Sequence, residues 1–235
     1  MKKKIVLLTN ETVHHHHFIK KIVSKKINLS ILLETKKIKK NYQVKHKIDS
    51  LMQNYEKKKW FNNKYKQIKK NYKVKEFKDF NSPKCINEIK KIKPDIIISF
   101  GSGYLKKNFL NNFRNKIFNF HGGEPSLYRG LDSHLWAIYH NDFRNLNVVF
   151  HKVDGSLDTG AIVYKKNISF KKLNNLSKLR YLNTEICIQL FHNFLKNYKK
   201  FKSIKQNKVG RYYSSMPSVL KSEVFKKFKK KLKNS

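Results

Sequence analysis

The sequence predicts an α/β fold in which a mostly parallel sheet is flanked by helices. Short apolar runs typical of buried strands, most clearly at 96–100, alternate with stretches whose apolar residues recur at helical spacing. This alternation is typical of βαβ units, which form parallel sheets. Glycine-containing turns follow the runs at 96–100 and 116–121. Because ligands bind at the carboxyl ends of strands in open α/β sheets, we expect the functional site near these two turns.

The elements of the first half follow from apolar runs, apolar periodicity and turn residues. Ser82 and Pro83 predict a helix start, because serine caps the first turn and proline fits its first position. The predicted elements are a strand at 5–9, a polar turn at 10–12, a helix with Phe18, Ile19, Ile22 and Val23 on its buried face, a strand at 29–33, one or two exposed amphipathic helices within 43–70, and a helix from Ser82 that buries Ile86, Ile89 and Ile92.

The same criteria place the elements of the second half. Runs of apolar residues bounded by turns predict strands, and apolar residues three or four positions apart predict helices. The predicted elements are strands at 96–100, 116–121, 148–153 and 161–165, helices at 106–112, 133–140 and 173–198, and a basic amphipathic helix at 221–233.

The net charge of +39 comes from 54 lysine and arginine residues against 15 acidic residues. Such a charge suits nucleic-acid binding, because bound cations release phosphate counterions. However, only five of the 54 are arginine, the residue favoured for bidentate recognition of phosphates and bases. We therefore interpret the charge mainly as a solvated surface whose positive field attracts anionic substrates, and nucleic acid is not an expected partner.

Cysteine usage and hydropathy bear on the compartment. Cys85 and Cys187 lie in helical contexts without metal-ligand spacing, which predicts small buried residues in a reducing environment. The apolar run at 5–8 is short for a signal peptide, and no stretch approaches the roughly 18 apolar residues of a membrane span. We expect a cytoplasmic protein without a membrane partner.

Residues 14–17 are four histidines that would point all round a helix, so we expect them to bind no metal ion, although one could contact a substrate.

An amide and an imidazole lie two residues apart at the end of the strand at 116–121. Positions i and i+2 of a strand face the same side, so Asn119 and His121 can address one substrate atom. Asp158 adds a carboxylate in a glycine-flanked turn. This set suits attack of an amine on an acyl or formyl carbon, with the amide on the developing oxyanion, the imidazole as proton carrier and the carboxylate orienting the imidazole. Packing or capping roles for the Asn and His are the alternative.

The stretch from 119 to 164 resembles the formyltransferases that use 10-formyltetrahydrofolate. These include methionyl-tRNA formyltransferase, glycinamide ribonucleotide formyltransferase and the nucleotide-sugar N-formyltransferases. Four ordered motifs carry the resemblance: Asn119-Phe-His121, Tyr128-Arg-Gly130, Trp136-Ala-Ile138 and Leu157-Asp-Thr-Gly160. The turn Gly101-Ser-Gly-Tyr104 is similar to the strand-end turn that the family has upstream.

The resemblance implies a Rossmann-like sheet, no metal, and a catalytic triad of Asn119, His121 and Asp158. It also implies that the pterin of the folate lies between the turn at 100–105 and the loop at 153–159. The residues expected at the folate are Phe100, Gly101, Tyr104, Leu105, Val153 and Asp154. The residues expected at the acceptor substrate are Asn10, Tyr128 and Arg129, with a purely structural role as the alternative for Arg129.

Departures from the family pattern bear on the acceptor. The segment 122–126 replaces the Pro-Ser-Leu-Leu-Pro that usually follows the histidine in the tRNA enzymes, and about 70 residues follow Lys165 where those enzymes carry a tRNA-gripping barrel. The segment 10–14 lacks the glycine of the phosphate-binding loop in the glycinamide ribonucleotide enzymes. By elimination, the sugar N-formyltransferases are closest in layout, and a nucleotide-linked amino sugar is the expected small-molecule acceptor.

We expect a catalytic domain at 1–168 and a helical C-terminal extension at 169–235 packed on or near it, without a separate tRNA-binding domain. A homodimer is compatible with the sequence. Glycinamide ribonucleotide and charged initiator tRNA are alternative acceptors. From other classes, the alternatives are a basic RNA-binding protein on an inactive formyltransferase core and a hydrolase that releases formate.

Overall fold

The computed structural model describes residues 2–24, 27–36 and 40–234. The elements of the first half are β1 (Lys3–Thr9), α1 (Val13–Ile22), β2 (Ile27–Glu34), α2 (Lys47–Phe61), α3 (Ile68–Asn71), β3 (Val74–Phe77) and α4 (Pro83–Ile92). Those of the second half are β4 (Ile96–Ser99), α5 (Lys107–Asn112), β5 (Ile117–Gly122), β6 (Tyr128–Gly130), α6 (Ser133–Tyr139), β7 (Asn147–Lys152), β8 (Ile162–Asn167), α7 (Leu179–Lys196), β9 (Arg211–Tyr213) and α8 (Ser218–Lys233).

Within the described residues, seven strands form one sheet in the order β3-β2-β1-β4-β5-β7-β8. The five strands from β3 to β5 pair in parallel, whereas β7 and β8 are antiparallel additions at one edge. The prediction of a mostly parallel α/β sheet is therefore confirmed. The carboxyl ends of β1, β4 and β5 lie side by side, which puts the turns after them at one edge of the sheet.

Helices cover both faces of this sheet with apolar side chains. On one face, Phe18 of α1 packs against Phe120 of β5 and Phe191 of α7, with ring centroids 5.5 and 5.7 Å apart. On the other face, Ile89 of α4 and Phe109 of α5 lie fully buried in the cluster that contains the alternate side chains of β1 and β4. Burial of these rings and aliphatic side chains is the main favourable contribution to the stability of the fold.

Most predicted elements are present, with boundaries shifted by a few residues. Ser82 caps α4, since its Oγ accepts from the Cys85 N–H, and both cysteines are buried and unpaired. Val23 was expected on the buried face of α1 but is 46% exposed, because the helix ends at Ile22 and Val23 is its C-cap. The helix expected from 173 begins at Leu179.

The strands β3, β6 and β9 are additions that periodicity did not reveal. Each has three or four residues, which is too few for an alternation of apolar and polar side chains to stand out. The strand β9 pairs in parallel with β6, so residues beyond 169 contribute a strand as well as helices to the fold.

The C-terminal segment shares the core of the rest of the chain. Phe194 of α7 contacts Phe118 of β5 at 4.7 Å between ring centroids, and Phe228 of α8 belongs to the same buried cluster. The division at 168 stays a prediction. Among the described residues, no helix is both long and apolar enough to cross a membrane.

A polar network fixes α7 against α1 and α2. The guanidinium of Arg180 donates from Nε and Nη2 to the carboxylate of Glu56, at 2.6 and 2.9 Å, and Glu56 is completely buried. One turn further along α7, Glu185 accepts from the Trp60 indole at 2.8 Å and lies 2.9 Å from Nε2 of His17. Burial raises the pKa of Glu56 and Arg180 opposes that rise, so the charged carboxylate depends on its partner.

Replacement of Arg180 by alanine should therefore destabilise the protein strongly. It leaves the Glu56 carboxylate buried without its partner, and the expected loss is about 3 kcal/mol in the free energy of unfolding. Urea denaturation at pH 7 measures it. Lys226→Ala is the matched control, because Lys226 pairs with Glu223 on the surface and such pairs contribute about 1 kcal/mol or less. Equal losses in the two variants would contradict the assigned role of Arg180.

Candidate active site

The structure brings Asn119, His121 and Asp158 together at the carboxyl edge of the sheet. Asn119 and His121 project from the end of β5, and Asp158 lies in the loop between β7 and β8. The Asn119 Nδ2 donates to Asp158 Oδ1 at 3.3 Å, and His121 Nδ1 lies 3.5 Å from Asp158 Oδ2. The three side chains that the sequence singled out are thus in mutual contact.

Asp158 is a buried carboxylate surrounded by donors. Its backbone has a φ of 56°, in the left-handed region that aspartate and asparagine tolerate better than most residues. The backbone N–H of Gly130 donates to Oδ2 at 2.8 Å. Burial acts to raise the pKa of Asp158, but attraction to His121, the contact with His151 and the Gly130 N–H outweigh it and hold the pKa well below the ordinary aspartate value. The carboxylate is therefore charged at neutral pH.

His121 is buried with an acceptor at each ring nitrogen. Its Nε2 donates to the carbonyl of Tyr128 at 2.8 Å, and its Nδ1 faces Asp158. A carbonyl oxygen can only accept, so Nε2 carries a proton, and Nδ1 is the ring nitrogen that faces the carboxylate.

His151 is a fourth member of the site that the sequence reasoning missed. It lies directly opposite Asn119 in the antiparallel pair β5–β7, is 2% exposed, and its Nε2 lies 3.2 Å from Asn119 Nδ2 and 3.5 Å from Asp158 Oδ1. Its Nδ1 donates to the Lys152 carbonyl at 2.7 Å, which leaves Nε2 of the neutral ring as an acceptor for the Asn119 amide. The sequence offered one signal for this residue: His151 lies in the predicted strand at 148–153.

Asn119 is anchored at its oxygen as well. The Ser99 hydroxyl donates to Asn119 Oδ1 at 2.9 Å, and Ser99 Oγ in turn lies 2.7 Å from Ser102 Oγ. Since Oδ1 accepts from serine, the assignment of Nδ2 towards His151 and Asp158 follows from the hydrogen bonds. The end of β4 thus orients the amide at the end of β5.

The residues expected at the folate lie on two loops that one hydrogen bond joins. The hydroxyl of Tyr104 donates to the Gly155 carbonyl at 3.1 Å, which joins the turn at 100–105 to the loop at 153–159. Gly101 has a φ of 78°, and a Cβ there would lie 2.2 Å from the ring of His15, so glycine is required. Phe100 and Leu105 are buried, Val153 is partly buried, and Tyr104 and Asp154 are exposed.

The residues expected at the acceptor substrate form hydrogen bonds with other residues of the chain. The Asn10 amide donates to the Gly101 carbonyl at 2.8 Å, which links the turns after β1 and β4. Tyr128 is buried and its hydroxyl donates to Asp142 at 3.0 Å. Arg129 donates to the carbonyls of Gly210 and Leu157, at 2.6 and 3.0 Å, and so ties the loop of Asp158 to the strand pair β6–β9.

The four histidines of α1 occupy three different surroundings, and His14 and His15 share one of them, with ring centroids 4.0 Å apart beside Phe100. The ring of His15 packs on Phe100 and burial lowers its pKa to about 3, while His16 contacts the Lys66 carbonyl at 2.8 Å and His17 stacks on Trp60 at 4.1 Å. Across the described residues, no group of three or more His, Cys, Asp or Glu side chains is arranged to hold a metal ion.

Comparison with known proteins agrees with the fold. Residues 2–181 match the formyl transferase family. The chain therefore belongs to this family. It is 28% identical over 153 residues to methionyl-tRNA formyltransferase of Finegoldia magna. The aligned region covers 60% of this chain and 48% of that protein. The match thus spans about half the length of this relative.

Solved structures share the fold at low sequence identity. A 4-N formyltransferase from Francisella tularensis superposes with a TM-score of 0.61 and 19% identity, over 90% of this chain and 76% of the other. The formyltransferase PseJ from Anoxybacillus kamchatkensis, in complex with UDP-4,6-dideoxy-4-formamido-L-AltNAc and tetrahydrofolate, superposes with a TM-score of 0.52 and 20% identity, over 90% and 85% of the two chains.

The depressed pKa of Asp158 makes part of the stability pH-dependent. The carboxylate contributes stability above the ordinary aspartate pKa of about 3.9, and the contribution is lost as the pH falls through the lower pKa of the folded state. Asp158→Asn keeps a residue that tolerates positive φ, and we expect it to cost about 2 kcal/mol at pH 7 and less at pH 3.

Urea denaturation of the wild-type protein and of Asp158→Asn at pH 7, 5 and 3 measures the free-energy cost of the substitution at each pH. Asp154→Asn, an exposed aspartate in the same loop, is the control and should change stability little. A cost for Asp158→Asn that stays constant from pH 7 to pH 3 would show that the charge of the carboxylate is unimportant.

Proposed function

We propose that this chain transfers the formyl group of 10-formyltetrahydrofolate to the primary amine of a nucleotide-linked amino sugar. The contact among Asn119, His121 and Asp158 at the sheet edge is the observation that carries the proposal. An amide donor, an imidazole and a charged carboxylate are the groups that acyl transfer to an amine requires. Membership of the formyl transferase family supports the formyl group as the acyl group.

The roles of the charged residues follow from their geometry. The amine nitrogen bonds to the formyl carbon, the bond from that carbon to the donor nitrogen breaks, the amine loses one proton, and the departing donor nitrogen gains one. His121 is the group assigned to carry this proton, and it would accept at Nδ1, which faces Asp158, because Nε2 already donates to the Tyr128 carbonyl. Asp158 also holds the loop at Gly130, so the position of the base depends on the same carboxylate.

Asn119 is assigned to the formyl oxygen, and its neighbours hold the amide in place. Its Nδ2 lies 3.2 Å from His151 Nε2 and donates to Asp158 Oδ1 at 3.3 Å, while its Oδ1 accepts from Ser99. An N–H of this fixed amide is assigned to bind the oxygen on which negative charge develops.

The two loops carry groups that suit a planar heterocycle. Tyr104 is 54% exposed, and Asp154 is exposed on the loop that the Tyr104 hydroxyl contacts, so an aromatic surface and a hydrogen-bond acceptor are both available. The folate would supply the formyl group. Gly101 and Asn10 would hold the turn at 100–105 in place beneath it, since the Asn10 amide donates to the Gly101 carbonyl.

The sugar acceptor is supported by the layout of the chain. Two of the solved structures that share the fold are a 4-N formyltransferase and a formyltransferase bound to a UDP-linked formamido sugar. The segment after β8 forms α7, β9 and α8 on the same core. The curated match to a methionyl-tRNA formyltransferase keeps charged tRNA in the acceptor panel below.

The first test is release of tetrahydrofolate from 10-formyltetrahydrofolate with a panel of amines. The panel contains UDP- and dTDP-linked amino sugars, glycinamide ribonucleotide, charged initiator tRNA and a control without amine. We expect turnover that depends on an amino sugar, and His121→Ala and Asp158→Ala should each lower kcat by at least roughly 10²-fold while the far-UV circular dichroism is retained. Full activity in both variants would overturn the triad, and turnover without amine would indicate a hydrolase.

The role of His151 has its own test. His151→Phe keeps a buried ring but removes the acceptor, and we expect kcat to fall roughly tenfold, less than the 10²- to 10³-fold cost of deleting an oxyanion donor. The KM for the folate should stay within twofold. His192→Phe, at an exposed position on α7, is the control and should leave kcat unchanged. An unchanged kcat in His151→Phe would contradict the role of His151 in holding Asn119.

A further inference from the structure

A segment that follows α7, residues 204–210, lies against the loop that carries Asp158, and we call this segment the strap. At its start, Ile204 and Ile162 of β8 exchange two backbone hydrogen bonds, each of 2.8 Å. Ile204 is nevertheless 75% exposed, and most other side chains of the strap are exposed as well. The strap is therefore held in place by hydrogen bonds rather than by apolar burial.

Gln206 is the side chain of the strap that reaches the loop. Its Nε2 donates to the carbonyl of Asp158 at 2.9 Å and to the carbonyl of Gly160 at 2.8 Å. Carbonyl oxygens only accept, so the NH₂ end of the amide faces them and both of its N–H groups are used. A single side chain thus binds the backbone on either side of Thr159.

The guanidinium of Arg129 joins the end of the strap to the same loop. It donates from Nε to the Gly210 carbonyl at 2.6 Å and from Nη1 to the Leu157 carbonyl at 3.0 Å. The carbonyls of Leu157, Asp158 and Gly160 are therefore all bound by side chains from outside the loop. The strap and Arg129 together fix the course of the backbone around Asp158.

The loop needs such support because Asp158 has a φ of 56°. This left-handed conformation is unfavourable for a residue with a Cβ and persists where the surroundings hold it. The Asp158 carboxylate lies 3.5 Å from His121 Nδ1 and accepts from the Gly130 N–H at 2.8 Å. A change in the backbone conformation of Asp158 would displace its carboxylate from both partners.

We propose that Gln206 is a positioning residue of the active site. By binding the carbonyls of Asp158 and Gly160, it keeps the Asp158 carboxylate beside His121 and Asn119. The consequence for catalysis rests on the proposed function, in which this carboxylate supports the base. Gln206 acts through Asp158 and not on the substrate, so the segment after α7 contributes to the chemistry by way of the strap.

Gln206→Met tests this role, because methionine has a similar length but no donor. With the panel amine that the wild-type protein uses best, we expect kcat to fall about tenfold as the carboxylate is misplaced. The KM for the amine and for 10-formyltetrahydrofolate should each stay within about twofold. Asn167→Leu is the matched control and should leave kcat unchanged. The Asn167 amide also makes two hydrogen bonds, to the Arg144 carbonyl at 2.8 Å and to Asn147 Oδ1 at 3.2 Å, but at the far end of β8.

A double-mutant cycle tests the same contact without any substrate. Urea denaturation at pH 7 gives the loss of unfolding free energy caused by Asp158→Asn, in the wild-type protein and in Gln206→Met. If Gln206 positions the carboxylate, this loss should be about half as large in Gln206→Met, because residues that act together do not contribute additively. In Asn167→Leu, the loss caused by Asp158→Asn should be the same as in the wild-type protein.

The outcomes separate the inference from the proposed function. An active wild-type protein with an unchanged kcat in Gln206→Met, or with an equal fall of kcat in Asn167→Leu, overturns the role of Gln206 and leaves formyl transfer intact. A wild-type protein that turns over no amine overturns the proposed function, and the double-mutant cycle then decides on Gln206, since additive losses contradict the positioning of Asp158. Gln206→Asn, which is one methylene shorter, is the second variant if the methionine variant does not fold, and it too must lower kcat selectively.

Discussion

The buried carboxylate of Asp158 is the centre on which the site depends. It contacts Asn119, lies close to His121 and His151, and accepts from the backbone of Gly130, so it joins β5, β7 and the start of the loop at 130. A charge in this position is stable only because donors and positive charge surround it, and their effect on its pKa exceeds that of burial. The same contacts that stabilise the fold locally therefore create the charged group that the proposed chemistry uses.

The helix α7 has a comparable role on the other face of the sheet. Its apolar side chains complete the core over β5 and α1, and its polar side chains make the buried contacts with Glu56, His17 and Trp60. These contacts fix the helix along its length, and Asn183 lies against Gly122 of β5. The packing of α7 thus supports the strand that carries Asn119 and His121.

The histidines at 14–17 show how burial determines the role of a residue type. In a run of four, the side chains meet three different environments: His14 and His15 lie beside Phe100, His16 contacts the Lys66 carbonyl, and His17 contacts Trp60 and Glu185. A metal site needs its ligands to converge on one point, and four consecutive helical positions diverge. These histidines contribute packing and hydrogen bonds that hold the turns at the sheet edge.

The sequence by itself determined the fold class, most elements and three of the four residues at the centre of the site. Runs such as 96–100 and the helix from Pro83 carry strong local signals, and Asn119, His121 and Asp158 lie in motifs that are contiguous along the chain. Only the tertiary structure decided the rest. His151 is opposite Asn119 because of the β5–β7 register, and Asn183 meets Gly122 because α7 folds back on the sheet. Both contacts join residues 32 or more positions apart, and pairing over such distances leaves no local pattern to read.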